Sequence, residues 1–303
     1  MAGKIWLKLG WGCMETCIKI YDRAAGIFRE EKQYGEKGLV FLYRTVPGRI
    51  LLKLFFCRGI YSKLNGMWMK SCLSAGKIEP FIREYGVDLS DCERREAKDY
   101  KSFDDFFTRK CHWQCGAGPR ELIAPCRGRL AAYRIEERLA LHIKGSMYTL
   151  PELVAGRFDL SRYEGGVCLV YRLAPEDCHR YYFCDAGRVL RTEEIKGTLH
   201  TVRPISERYR VFSRNHRICT LMRTEHFGDV MQIEVGALQI GRINNHPVRE
   251  FARMDEKGYF SYGGSTILQL FGPRRVSVDG DIQKYSEQGV EVLVKPGERI
   301  AVC

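Results

Sequence analysis

The sequence predicts an α+β fold, a helical N-terminal part followed by a β-rich core, and a change of texture along the chain carries that expectation. Residues 1–110 read mostly as helices. From about Gly118 onward, short runs rich in Val, Ile, Tyr and Leu alternate with Gly, Pro and Asp, as strands separated by turns do. Gly116–Pro119 is the best linker between the two textures. The expected division is a helical region over 1–115 and a β-rich core over 116–303.

Each element has its own signal. Gly38–Met69 mixes Leu, Phe and Trp with Arg49, Lys53, Arg58 and Lys63. A basic helix with bulky apolar residues is the pattern of a segment lying in a membrane interface. A helix packed on its own core with solvated lysines is the plainer alternative. Ser102–Arg109 (SFDDFFTR) has an N-cap serine and acids in the first turn, which predicts a short capped helix. Strands are expected at Val167–Leu173, Val189–Arg191, Val230–Val235, Tyr259–Tyr262 and Val290–Val294.

Composition bounds the function. With 45% hydrophobic and 28% charged residues in 303, the chain is a folded protein with a substantial core, not a disordered one. A net charge of +12 suits an anionic partner, either nucleic acid or an anionic membrane leaflet. No RNP-like or KH motif occurs, which argues against nucleic acid. The thirteen cysteines include no CxxC pair, so reduced thiols are expected, with neither a disulfide framework nor a zinc site. The N-terminus shows no signal peptide and no apolar run of membrane-spanning length, so a membrane-bound form lies on the surface.

Three segments carry chemistry: Gly263–Thr266 (GGST), Leu173–Phe183 (LAPEDCHRYYF) and Ala124–Arg129 (APCRGR). Each is weak by itself: a GGST after a strand is usually a turn, and His179 or His226 alone is more often a satisfied loop histidine. In this order they resemble the phosphatidylserine decarboxylase family, in the form with GGST that is typical of clostridial-type members. Further matching segments are Ile18–Asp22, Ser102–Lys110, Val202–Pro204, Glu225–Gly236 and Lys257–Thr266.

The resemblance implies a helical part that meets the membrane, a β-rich catalytic core and a proenzyme that cuts itself between Gly264 and Ser265. Ser265 becomes a covalent pyruvoyl group at the head of chain 265–303, which stays with chain 1–264. The implied reaction takes phosphatidylserine to phosphatidylethanolamine and CO2, with the pyruvoyl carbonyl condensing with the substrate amine and accepting the electrons left behind. His179 is the candidate for proton transfer during decarboxylation. The implied location is the cytoplasmic face of the cell membrane, bound peripherally to its anionic surface. A homodimer is compatible with the sequence.

The chain departs from the family at two places. Self-cleavage in the family is assigned to an Asp-His-Ser triad. The aspartate position falls on Arg127 and the histidine position on Tyr182, so Ser265 alone is kept. An arginine offers donors only, and a tyrosine near its ordinary pKa is a poor base. Arg127 lying beside Tyr182 would favour phenolate and rescue it; His179 or His226 are other substitute bases. The alternative function is an unprocessed, silent relative that binds lipid or a partner. A relative acting on another amine-bearing acid, such as a free amino acid, is a further alternative.

Overall fold

The serine that the motif singles out begins the middle strand of a large sheet. The computed structural model describes residues 18–31, 36–56, 59–143, 146–201, 209–237, 242–261 and 265–303. Tyr262–Gly264, Val202–Pro204 and residues 1–17 lie outside the described residues. The main sheet has ten strands, in the order Glu250–Phe251, Gly187–Ile195, Arg217–Thr224, Asp229–Val235, Ser265–Phe271, Val167–Leu173, Gly128–Arg134, Glu291–Val294, Ile18–Asp22 and Ile27–Glu31. Neighbours are antiparallel except Ile18–Asp22, which runs parallel to Glu291–Val294.

Both faces of the centre are covered, so the central strands read as continuous apolar runs and not as alternation. All seven residues of Ser265–Phe271 are buried. On one face Leu169, Tyr171, Leu173, Val230, Ile267 and Phe271 join a single apolar cluster. On the other, Cys168, Val170, Met231, Ile233, Leu268 and Leu270 join a second. The two-residue period places Ser265 on the first face. A three-stranded sheet of Ile243–Asn245, Glu256–Phe260 and Arg180–Tyr182 covers that face through Ile243, Phe260 and Tyr181.

The expected strands at 167–173, 189–191 and 230–235 fall within observed ones, that at 290–294 begins one residue later, at Glu291, and Tyr259–Phe260 close the Glu256–Phe260 strand. The helix at Phe103–Phe107 starts as expected, with Ser102 Oγ accepting from Asp105 N at 3.2 Å. Two expectations are corrected. Ile18–Glu31 is not helical: it forms a hairpin that completes the main sheet. Cys92 and Cys111 are joined as a disulfide across an isolated antiparallel bridge, where all thiols were expected reduced. Sequence spacing cannot show that pairing, because a 19-residue separation matches no motif.

The helices of residues 36–85 and the Phe103–Phe107 helix form their own small cores, one around Phe81, Phe103, Phe106 and Phe107 and one around Leu42, Tyr43 and Leu52. Their outward side chains include Phe41, Val46, Ile50, Leu51, Leu54, Phe55, Leu64, Met67, Trp68 and Leu73, all exposed. Arg44, Arg49, Lys53, Lys70 and Lys77 are exposed among them. No helix among the described residues is long and apolar enough to cross a membrane.

The sheet carries an unusual charge cluster. Arg129 and Arg172 are directly opposite each other on neighbouring strands, and both are buried. Like charges in that relation repel, so the pair requires carboxylates. Glu31 bridges both, 2.6 Å from Arg129 Nε and 2.8 Å from Arg172 Nη1. Glu291 lies 2.6 Å from Arg172 Nη2, Glu176 lies 2.6 Å from Arg129 Nη2, and Asp177 pairs with Arg129 Nη1. Burial pushes the Glu31 carboxyl up, but Arg172 and Arg129 outweigh it and hold it below the ordinary range. Replacing Glu31 by Gln leaves the two arginines facing each other with too little compensation. The expected loss is about 3–5 kcal/mol of unfolding free energy, read by urea denaturation of a Ser265→Ala chain. Glu31 has a depressed pKa, so its contribution is full above pH ~4.5 and fades as pH falls further. The Gln variant should therefore lose less stability than its parent on acidification through that window.

Candidate active site

Ser265 and His179 lie at the same end of the main sheet because both leave paired strands there. Ser265 is opposite Leu173, the last residue of its neighbour strand. The chain then turns through Ala174–Cys178 to His179, whose carbonyl accepts the Phe260 N–H at 3.0 Å, five residues before Ser265. Both side chains are fully buried. Among the described residues, Ser265 Oγ, Thr266 Oγ1 and His179 Nε2 have no hydrogen-bond partner. Buried polar atoms are normally satisfied, so these orphans make this sheet end a candidate site.

The histidine's tautomer follows from its partner. Nδ1 lies 3.0 Å from the Asp177 carbonyl oxygen. A carbonyl only accepts, so Nδ1 carries the proton and Nε2 keeps a bare lone pair. The ring stacks on Phe107, with centroids 3.8 Å apart. Burial, helped by Arg109 and Arg129, lowers its pKa to about 3 against the pull of the Asp177 carbonyl, so the imidazole is neutral.

The two departing positions do different things from those expected of a rescue. Arg127 Nε lies 3.5 Å from Asp177 Oδ1, so its charge is directed to that carboxylate. Tyr182 sits beside the same segment, its N–H donating to the Pro125 carbonyl at 2.8 Å. Burial pushes its phenol well above the ordinary range; the cation that acts on it is Arg180, not Arg127, and burial wins. Burial thus favours the neutral phenol at Tyr182 over a phenolate. His226 is also removed from consideration. It has a carboxylate partner, Asp185, with Nδ1 to Oδ1 at 3.0 Å. However, it occupies the turn between Arg217–Thr224 and Asp229–Val235, whereas Ser265 lies beyond the Val235 end, about 20 Å along the strand at ~3.3 Å per residue.

Sequence reasoning missed the groups around this end. Asp177 accepts from Ala174 N at 2.8 Å, which shapes the turn leading to His179. Glu234, on the same face as Ser265, accepts from Lys257 Nζ and Gln232 Nε2, both at 2.8 Å, and from Asn245 Nδ2 at 3.2 Å. Gln232 and Gln269 extend that ladder across the sheet to the Tyr171 hydroxyl. The available signal was the presence of charged and amide residues inside apolar strand runs, as in Val167–Leu173 and Asp229–Val235.

The family model for phosphatidylserine decarboxylase matches residues 103–302, from the Phe103 helix to the last strand. The chain belongs to the phosphatidylserine decarboxylase family. It is 45% identical over 287 residues to "Phosphatidylserine decarboxylase proenzyme 2" of Clostridium acetobutylicum, covering 93% of this chain and 98% of that one. It is 37% identical over 294 residues to the proenzyme of Ruminiclostridium cellulolyticum, covering 94% and 98%. It is 35% identical over 298 residues to that of Desulfitobacterium hafniense DCB-2, with the same coverage. The family's members are pyruvoyl-dependent decarboxylases, and the resemblance read from the GGST, PEDCHR and APCRGR segments is thereby established.

The buried neutral histidine has a measurable consequence. A histidine with a depressed folded pKa binds its proton more readily unfolded, so stability is full above pH ~6.5 and falls between there and pH 3. In a Ser265→Ala chain, thermal midpoints should drop over that window. Adding His179→Gln should flatten the drop, and equal slopes with and without it would contradict the assigned burial of a neutral ring.

Proposed function

We propose that this chain is a phosphatidylserine decarboxylase proenzyme that cleaves itself at Gly264–Ser265, with His179 as the proton-transfer group for Ser265. The observation that carries the reading is the matched pair of orphans, a serine hydroxyl and a bare imidazole nitrogen, buried at one sheet end. A hydroxyl needs an acceptor for its proton as it attacks, and Nε2 of the Nδ1-protonated ring is such an acceptor. The Asp177 carbonyl orients the ring, the task a carboxylate has in a triad.

The step balances as follows. Ser265 Oγ bonds to the Gly264 carbonyl carbon as the Gly264–Ser265 amide breaks, and the hydroxyl proton passes through the imidazole to the Ser265 nitrogen. Loss of the Ser265 α-proton then expels the Gly264 carboxylate, and water converts the resulting dehydroalanine into a pyruvoyl group with release of ammonia. The residues present fit that group: Ser265 is fully buried at the start of a central strand, so its product is held in a dry site. Once formed, it supplies an electron sink for loss of CO2 from phosphatidylserine. His179 is placed to return a proton.

The helices of residues 36–85 support a membrane-facing role. Among the described residues ten bulky apolar side chains are exposed alongside six basic ones, a texture suited to an anionic lipid surface. Peripheral binding at the cytoplasmic face of the cell membrane is part of the proposal, with phosphatidylserine as substrate. A second reading, a single-chain relative that only binds lipid, is favoured by one observation: neither Arg127 nor Tyr182 can act as a base.

Intact mass separates the two. Purified wild type should appear as chains 1–264 and 265–303, while Ser265→Ala and His179→Gln should remain one chain. Tyr182→Phe should convert within about threefold of the wild-type rate. A wild type that stays whole would favour the lipid-binding relative, and a split Ser265→Ala would refute the cleavage site. Replacing the exposed Leu54, Phe55 and Met67 by Ser should abolish binding to vesicles rich in phosphatidylserine without unfolding the core, and wild-type binding should weaken as salt rises.

A further inference from the structure

The contacts that hold His179 converge on a side chain that the cleavage reading leaves without a task. Arg109 follows the Phe103–Phe107 helix and is only 3% exposed, yet no carboxylate among the described residues forms an ion pair with it. Its Nη2 donates to the Glu176 carbonyl at 2.6 Å and its Nη1 to the Phe106 carbonyl at 3.2 Å, while Nε has no partner. Its own carbonyl accepts from Cys178 Sγ at 3.3 Å. Phe107 stacks on the His179 ring, and Arg180 Nε donates to the Thr108 carbonyl at 2.9 Å. Residues 106–109 are thus stitched to residues 176–180 on both sides of the imidazole.

A buried guanidinium without a counter-ion is costly, and a purely structural tie between two carbonyls could be made by a neutral amide. The charge therefore asks for a reason. We propose that Arg109 is a positioning residue for His179: it locks the Glu176–His179 turn so that Nδ1 meets the Asp177 carbonyl and Nε2 stays bare. Its cation also opposes a second proton on the ring. It acts through His179 and touches neither Ser265 nor substrate. The proposal rests on the reading of His179 as the group that serves Ser265.

The charges around the imidazole agree with this role. On its own turn, the Asp177 carboxylate is taken up by Arg129, Arg127 and Ala174 N, and the buried Cys178 thiol is raised by burial, so neither presents an anion to the ring. Arg109, from the helical side, and Arg129, from the main sheet, both disfavour imidazolium. Glu176 turns its carboxylate to Arg129 and only its carbonyl to Arg109.

Nitrogen-15 spectra of the imidazoles in a Ser265→Ala proenzyme test the proposal directly. His179 should show the neutral ring protonated on Nδ1 down to about pH 5, where an ordinary histidine is charged. Arg109→Met should raise the pH at which the ring charges by about one unit. Arg109→Lys, which keeps the cation and loses the fork, should stay neutral but mix its tautomers. In chains with Ser265, Arg109→Met should slow conversion to two chains at least tenfold and move the acid limb of its pH profile upward. Arg109→Lys should slow it less and keep the limb. A Met variant with unchanged tautomer and unchanged limb, whatever its rate, overturns the proposal. If the Met variant does not fold, the parent spectrum decides: a proton on Nε2, or titration near pH 6.5, overturns it. Failure of the underlying reading looks different, as a wild type that never splits while His179 shows the expected spectrum.

Discussion

The two arginines that face each other across the sheet are the constraint on which the rest depends. Arg129 and Arg172 repel, and the carboxylates that reconcile them come from three separate parts of the chain. Glu31 brings in the hairpin of Ile18–Glu31, and Glu291 brings in the strand that the hairpin pairs with. Glu176 and Asp177 bring in the turn that ends at His179. A cluster of this kind contributes little net stability relative to an apolar core, but it specifies partners strictly, because each missing member leaves a buried charge. The histidine is therefore placed by electrostatics that begin on the far face of the sheet from Ser265.

Dryness governs the site itself. Ser265, His179 and Arg109 are each almost wholly removed from water, and the same burial keeps His179 and Tyr182 uncharged. A neutral imidazole carries a basic lone pair that a phenol lacks, so the residue at 182 is a far weaker proton acceptor than a histidine there would be. At His179 the Asp177 carbonyl fixes the tautomer, as a carboxylate fixes that of a triad histidine. The small sheet of Ile243–Asn245, Glu256–Phe260 and Arg180–Tyr182 provides the lid that excludes water, and it carries Lys257 to the buried Glu234.

The helical part joins this core in two ways. Arg109 and Phe107 connect it to the His179 turn. Tyr43, on the outermost helix, donates to or accepts from His200 Nδ1 at 3.3 Å and accepts from Thr201 N. Asn215 then links His200 to the Gly236 carbonyl, one residue past the strand that pairs with the serine strand. The surface with exposed apolar residues is thus in continuous hydrogen-bonded contact with the sheet end that holds Ser265.

Much of the fold was legible in the sequence, because strand runs, turn residues and the Ser102 cap are local signals that need no partner. Val167–Leu173 and Phe103–Phe107 were determined in this way, and the family was legible in the ordered resemblance of three segments that are each weak alone. The hairpin at Ile18–Glu31 was not, since its alternation is short and its strand partner lies some 270 residues later in the chain. The Cys92–Cys111 link, the Arg129–Arg172 cluster and the grip of Arg109 on the His179 turn were equally hidden. What separates the three substitute bases is visible only in three dimensions: register sets His226 at the opposite end of the sheet from Ser265, and burial favours the neutral Tyr182 phenol. Residue type tells which proton chemistry a side chain can perform; which form it takes depends on its neighbours and on its access to water, and these exist only once distant segments have packed.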